Sequence, residues 1–186
     1  MDSVYIQNVL SGSTEDFRYL IKKYKDLAFS VAVSVVKNEF EAEEVVQEAF
    51  IKSYKNLSSL KEKSNFKTWF CRILINEAFK RLKKIREEIV LPTNQILPSI
   101  EDFEDTFKGF NSDEQRFLVN ESLKKIASKE CLLLQLFYLE GNSVDHITNL
   151  TGWSETNVKV ILHRARKHLL VVVKTMMESE LTWSKI

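Results

Sequence analysis

A chain of 186 residues with 44% hydrophobic content can bury one sizeable core or two small ones. Only 4 glycines and 2 prolines, with no strand-type alternation between turn signals, speak against a β-rich fold, and the expected class is all-α. The formal net charge of +1 excludes a uniformly basic or acidic protein, and two cysteines far apart in apolar segments, Cys71 and Cys131, suit neither a disulfide framework nor a zinc site.

In chain order, a short helix is expected over residues 3 to 10. SGSTEDF then reads as a turn and N-cap, with Glu15 and Asp16 in the first turn of a helix that runs to about Lys37. Its apolar face carries Phe17, Leu20, Ile21, Tyr24, Leu27, Ala28 and Val31. LAFSVAVSVV within it falls short of the ~18 residues needed to span a bilayer, and no signal-peptide pattern opens the chain, so no membrane insertion and a cytoplasmic location are expected.

Asn38 can cap the next helix, to about Leu57, whose apolar positions Ala42, Val45, Val46, Ala49, Phe50, Tyr54 and Leu57 keep the helical period. SSLKEKS breaks the pattern. A fourth helix runs from Ser64 or Asn65 to about Glu88, with Phe66, Phe70, Ile73, Leu74 and Ala78 as core.

Charge comes in blocks. Seven bases face one acid between Asn65 and Arg86, eight acids face one base between Glu87 and Glu114, and five bases face one acid between Trp153 and Lys174. Two basic segments flank an acidic one, which suits two polyanion-facing surfaces and a tether. The tether, residues 89 to 112, holds both prolines and Gly109. It divides the chain into helical domains over 1–88 and 113–186.

After a helix from about Asp113 to Ala127, KECLLLQLFYLE forms another that Gly141 stops; Ser143 caps VDHITNLT, Gly152 turns the corner, and Ser154 caps the last long helix. Two helices joined at a glycine corner make a helix-turn-helix, whose second helix enters the DNA major groove with its N-terminal half. Thr156, Asn157, Lys159, Val160, His163 and Arg164 occupy its first turns, and Arg166 and Lys167 suit phosphates.

AEEVVQEAFIKSYKNL (42 to 57) and NFKTWFCRILINEAFKRLKK (65 to 84) resemble two segments of bacterial sigma factors of the extracytoplasmic-function group. The first is similar to region 2.2, which docks on the β′ clamp helices of core RNA polymerase; the second to regions 2.3 and 2.4, which melt and read the −10 promoter element. The C-terminal half resembles region 4, which reads the −35 element and touches the β flap. The resemblance implies a promoter-specificity subunit whose partners are core polymerase, promoter DNA and an anti-sigma factor.

Residue by residue, it makes Glu44, Gln47, Glu48 and Ile51 the polymerase patch, a mix of rim polar groups and an exposed aliphatic. Lys61, Lys63 and Asn65 in the loop, with Lys67, Trp69, Arg72, Asn76 and Lys80 on the helix, become the −10 surface. Arg72, Asn76 and Lys80 are four apart and share a face. Cations there can hold phosphates, Asn76 can read a base edge, and Trp69 can stack on an unpaired base. The chain departs from the family's pattern at Val160 and Ile161, where a Ser-Arg pair is usual, and at IAS (126 to 128), where a Leu-Pro pair is usual.

A stand-alone helix-turn-helix regulator is the alternative, but it leaves the basic-aromatic helix and the docking patch without a role. An enzyme is not expected: there is no glycine-rich phosphate loop, no nucleophile paired with a base, and no metal-type spacing among His146, His163 and His168. No cofactor, no metal and no catalytic residue are therefore assigned.

Overall fold

The computed structural model describes residues 2–62, 65–88 and 112–183, and all regular structure among them is helical. The helices are α1 (Asp2–Leu10), α2 (Phe17–Val36), α3 (Glu39–Lys55), α4 (Phe66–Glu88), α5 (Ser112–Lys125), α6 (Ser128–Leu134), α7 (Val144–Thr151) and α8 (Glu155–Trp183). The acidic tether expected over 89 to 112 lies outside the described residues up to 111; Ser112 opens α5.

The start and stop signals act locally, much as the sequence suggests. The Asn38 side chain accepts the Glu41 N–H at 3.0 Å, Ser143 accepts that of His146 at 3.1 Å, and Ser154 accepts that of Asn157 at 3.3 Å. Gly152 takes φ +72° and closes α7 with its own N–H on the Thr148 carbonyl, a left-handed cap that glycine adopts without strain. The exception is SGSTEDF. Thr14–Asp16 forms a separate turn of 3₁₀ helix, Ser13 makes no side-chain cap, and α2 starts at Phe17.

Helices α2, α3 and α4 pack around an aromatic cluster. Phe70 stacks on Phe50 at 4.6 Å and on Phe66 at 5.8 Å, with Tyr24 at 6.2 Å closing the third side. Phe66, Phe70, Leu74 and Ala78 are fully buried, and so is Leu20; Leu27, Val46 and Ile73 are half-buried, and two expected core residues are exposed. Ile21 is 38% exposed and Tyr54 41%. Ile21 follows Leu20 by about 100° around the helix, which carries it past the edge of the buried stripe. Tyr54 edges against Phe17 at 5.1 Å with its other side in solvent.

At the N-terminus, Asp2 accepts from Lys23 and from the Tyr24 hydroxyl, which ties α1 to α2. Burial favours the neutral Asp2 carboxyl, but the two donors outweigh it and hold it below its ordinary value.

The C-terminal helices pack α6 and α5 against α8, around Ile126, Cys131, Leu134, Ala165, Leu169 and Val173. Their other side continues the first cluster: Leu132, Leu133, Leu136, Ile147, Leu150, Val158 and Leu162 are buried together with the residues of α2 to α4. The polar groups at this junction are paired, as burial requires. Ser128 donates to the Val35 carbonyl near the end of α2, Gln135 donates to Ser30 Oγ, and Lys37 Nζ donates to the Leu123 carbonyl, each at 2.6 Å. Lys37 also closes α2 with φ +60°, so its side chain leaves one helix end and caps another.

No described helix is long and apolar enough to cross a membrane.

Two outcomes test this packing. Phe70→Ala should cost about 3–5 kcal/mol of unfolding free energy in urea titration, since three aromatic partners lose contact and little can collapse into the gap. Lys37 is a base whose pKa burial lowers from 10.5 in the fold. The unfolded chain therefore binds more protons just below pH 10.5, and this residue makes stability rise with pH there. Lys37→Met should remove that rise from the pH profile of urea unfolding.

Candidate nucleic-acid interface

With its apolar side fixed in the aromatic cluster, α4 turns a fixed opposite face outward. Arg72, Asn76 and Lys80 are all exposed on it, as their spacing of four predicts. Lys67 and Asn65 are exposed at its beginning, and Asn65 Nδ2 donates to Glu62 Oε2 at 2.6 Å. Lys61 is exposed; Lys63 lies outside the described residues. Trp69 is half-buried, with its ring 5.9 Å from that of Phe66, so one edge serves the core and the other remains accessible.

Glu44, Gln47, Glu48 and Ile51 lie exposed along α3, with Ile51 48% exposed. This strip and the α4 face are not separate surfaces. A groove of 310 Å³ runs between them, lined by Glu44, Val45, Glu48, Glu77, Lys80, Arg81 and Lys84. Two ion pairs hold its walls: Lys52 with Glu77 at 2.6 Å, and Arg81 with Glu41. Lys52 also reaches Glu48 at 3.6 Å. The hydrogen bond that Lys52 donates to Glu77 outweighs burial, which acts the other way, and raises the Lys52 pKa above its ordinary value. The acidic strip is thus linked to α4 through Lys52, which reaches both Glu48 and Glu77. The sequence reading missed this link, and the only signal for it was an isolated Glu77 within a basic run.

On α8, Thr156, Asn157, Lys159, Val160, His163 and Arg164 are exposed, with Val160 at 42%. Lys159 pairs with Glu155 one turn back at 2.6 Å, and that ammonium holds the Glu155 carboxyl below its ordinary value. Ile161 instead packs toward the core, so of the two departures from the family pattern only Val160 faces outward.

Arg166 and Lys167 are only half-exposed. Arg166 Nε donates to the Tyr138 hydroxyl at 2.7 Å, and its guanidinium sits 5.7 Å and 5.6 Å from the centres of the Phe137 and Tyr138 rings. A single turn of wider, π-type helix covers Gln135–Leu139, where Tyr138 and Leu139 are exposed and Tyr138 reaches Arg166.

The C-terminal helices meet the α4 face near the helix-turn-helix corner. Arg72 Nε donates to the Asn149 carbonyl at 2.6 Å, Lys67 pairs with Glu140 at 3.8 Å, and Phe79 of α4 lies 6.0 Å from the ring of Trp153. Nothing in the sequence pattern signals these contacts.

Residues 20–88 match the family description Sigma-70 region 2. Along most of its length the chain is similar to the ECF RNA polymerase sigma factor SigW of Bacillus subtilis, 26% identical over 88% of this chain and 92% of that one. It is similar to the ECF RNA polymerase sigma-E factor of Escherichia coli at 27%, over 89% and 91%. Residues 20–88 are those of a Sigma-70 region 2, and these likenesses support an RNA polymerase sigma factor of the extracytoplasmic-function group. Its fold is also that of two solved structures. One is CnrH in complex with the cytosolic domain of CnrY (TM-score 0.64, 18% identity, 94% and 97% covered). The other is the Bartonella quintana sigma factor RpoE in complex with the anti-sigma factor NepR (TM-score 0.65, 21% identity, 87% and 98% covered). As a sigma factor, the chain directs RNA polymerase to promoters; the stand-alone regulator is not favoured.

Proposed function

We propose that the exposed strip of α3, with Glu44, Gln47, Glu48 and Ile51, docks on the β′ clamp helices of core polymerase, and that the adjacent α4 face binds the −10 element. In this reading Arg72, Lys80, Lys67 and Lys61 hold phosphates, Asn76 and Asn65 read base edges, and Trp69 stacks on a base drawn out of the duplex. Melting then requires no catalysis by this chain. Holding unpaired bases more tightly than paired ones shifts the duplex toward the open state.

The N-terminal turns of α8 read the −35 element in the major groove through Thr156, Asn157, Lys159, His163 and Arg164, with Val160 available to a thymine methyl. Arg166, held against Tyr138, and Lys167 approach phosphates from the flank. Residues 1–88 and 113–186 form the two working units, with 89–112 as the acidic connection. The C-terminal unit contacts the β flap, an anti-sigma factor is the controlling partner, and the cytoplasm is the site of action.

One observation carries this reading: the α3 strip and the α4 cationic face border a single groove whose walls are tied by Lys52–Glu77, so polymerase docking and promoter contact share one rigid support.

Run-off transcription with purified core polymerase tests the assignment. Lys159→Ala with Arg164→Ala should abolish −35-dependent initiation and leave co-purification with core polymerase intact. Glu44→Arg with Gln47→Ala should eliminate co-purification and leave duplex contact by α8 unchanged. Loss of polymerase binding in the first pair, or its retention in the second, reverses the roles.

A further inference from the structure

Between Lys61 and Arg86 nine bases face two acids, Glu62 and Glu77. Glu77 is used by Lys52 at the wall of the α3–α4 groove. Glu62 is exposed, stands between two lysines in the sequence, and enters no ion pair among the described residues. A carboxylate on a surface that meets phosphates weakens binding by repulsion. What Glu62 does instead is accept a hydrogen bond from Asn65 Nδ2 at 2.6 Å.

The backbone doubles that link, since the Asn65 N–H donates to the Glu62 carbonyl at 3.0 Å. A carboxylate offers only lone pairs, so the part of the Asn65 amide turned to it is the NH2 group. Turning the amide over would set Oδ1 against a carboxylate oxygen, acceptor on acceptor. The amide is therefore held in one sense. One of its N–H groups is used on Glu62; the other, with Oδ1, forms an edge. Trp69 follows one turn later, half-buried, with an accessible edge on which a base can stack.

An edge of one acceptor and one donor matches a base that offers an amino group beside a bare ring nitrogen. Cytosine and adenine do so. Thymine and guanine offer a carbonyl oxygen beside a ring N–H, the reverse order. To bond them, the amide N–H would have to receive that carbonyl oxygen next to the Glu62 carboxylate, where two acceptors repel.

We infer that Glu62 is a positioning residue for base selection: by fixing the Asn65 amide, it makes the start of α4 take an unpaired cytosine or adenine in preference to thymine or guanine. The inference rests on the proposed −10 role of the α4 face. It explains why an acid is kept in a loop of lysines, at a cost in affinity: the carboxylate gives discrimination.

The test assembles core polymerase with the full chain, lets the complex select from duplexes that carry a short randomised single-stranded segment, and sequences the bound fraction. At one position cytosine and adenine, singly or together, should exceed thymine and guanine about tenfold. Glu62→Gln keeps size and reach, but its amide can donate or accept, so Asn65 can turn over. The excess should fall below about twofold at that position alone, while total binding rises because a negative charge is gone. Asn65→Ala should level the same position, and adding Glu62→Gln to it should alter the base counts no further. A carboxylate that only stiffened the loop would affect all four bases equally.

Circular dichroism checks the fold of each variant; should Glu62→Gln fail it, Glu62→Ala, which also frees the amide, takes its place. A parent with no position favouring the amino-bearing bases overturns the inference. If Asn65→Ala levels a position and Glu62→Gln does not, the inference falls and the −10 role stands. If neither variant, nor Lys67→Ala with Arg72→Ala, alters selection or binding, the −10 role falls as well.

Discussion

Burial of one side of α4 is the constraint on which the rest of the molecule depends. Phe66, Phe70, Leu74 and Ala78 are inaccessible to solvent, and Phe70 touches aromatic rings from α2 and α3 as well as its own helix. Such a ring cluster leaves α4 no freedom to rotate, because turning it by one residue would expose a phenyl group and bury a cation, each at a cost of several kcal/mol. Arg72, Asn76 and Lys80 therefore face outward by exclusion. The exposed strip on α3 is held in register by the same rings, since Phe50 belongs to that helix and stacks on Phe70.

Near-neutral overall charge is compatible with two cationic surfaces because the acids lie in other segments or in local ion pairs. Glu41 and Glu77 are used within the α3–α4 groove against Arg81 and Lys52, and Glu155 against Lys159. Exposed pairs contribute little and are weakened by salt, so a phosphate can displace the acid readily. The Glu155–Lys159 pair is of that type. It keeps a cation poised on α8, with a carboxylate that also suits the helix N-terminus.

Much of this was legible in the sequence wherever the determining interaction is local. Asn38, Ser143 and Ser154 cap helices through bonds three residues away, and Gly152 supplies a backbone conformation that its own lack of a side chain permits. The 3.6-residue period located the buried stripes of α2, α3 and α4 but overestimated their width at Ile21 and Tyr54, because the period says nothing about how far the neighbouring helix extends. The exposed positions on α3, α4 and α8 could be read for the same reason as the stripes. What could not be read is tertiary: Arg166 bonded to Tyr138, Lys37 capping α5, Lys52 bridging to Glu77, and Arg72 held by a carbonyl of α7. Each joins residues separated by tens of positions, and no spacing rule encodes such a pair.

The energetics of the closed arrangement decide what could open it. At the corner, a charge-assisted hydrogen bond from Arg72 contributes about 1.5–3 kcal/mol, an aromatic contact about 0.5–1.5, and an exposed ion pair about 0–1. These are small enough for a partner to overcome. The α2–α6 junction is different, since Ser128 and Gln135 are buried and hydrogen-bonded to α2, and parting it would expose Leu132, Leu133 and Leu136. A ligand shifts such an equilibrium only by the difference between its affinities for the two forms. A protein surface that covers those leucines recovers the cost of exposing them. Parting the two packed sides of the core would therefore need a surface able to cover those leucines, whereas the corner contacts alone are weak enough to exchange singly.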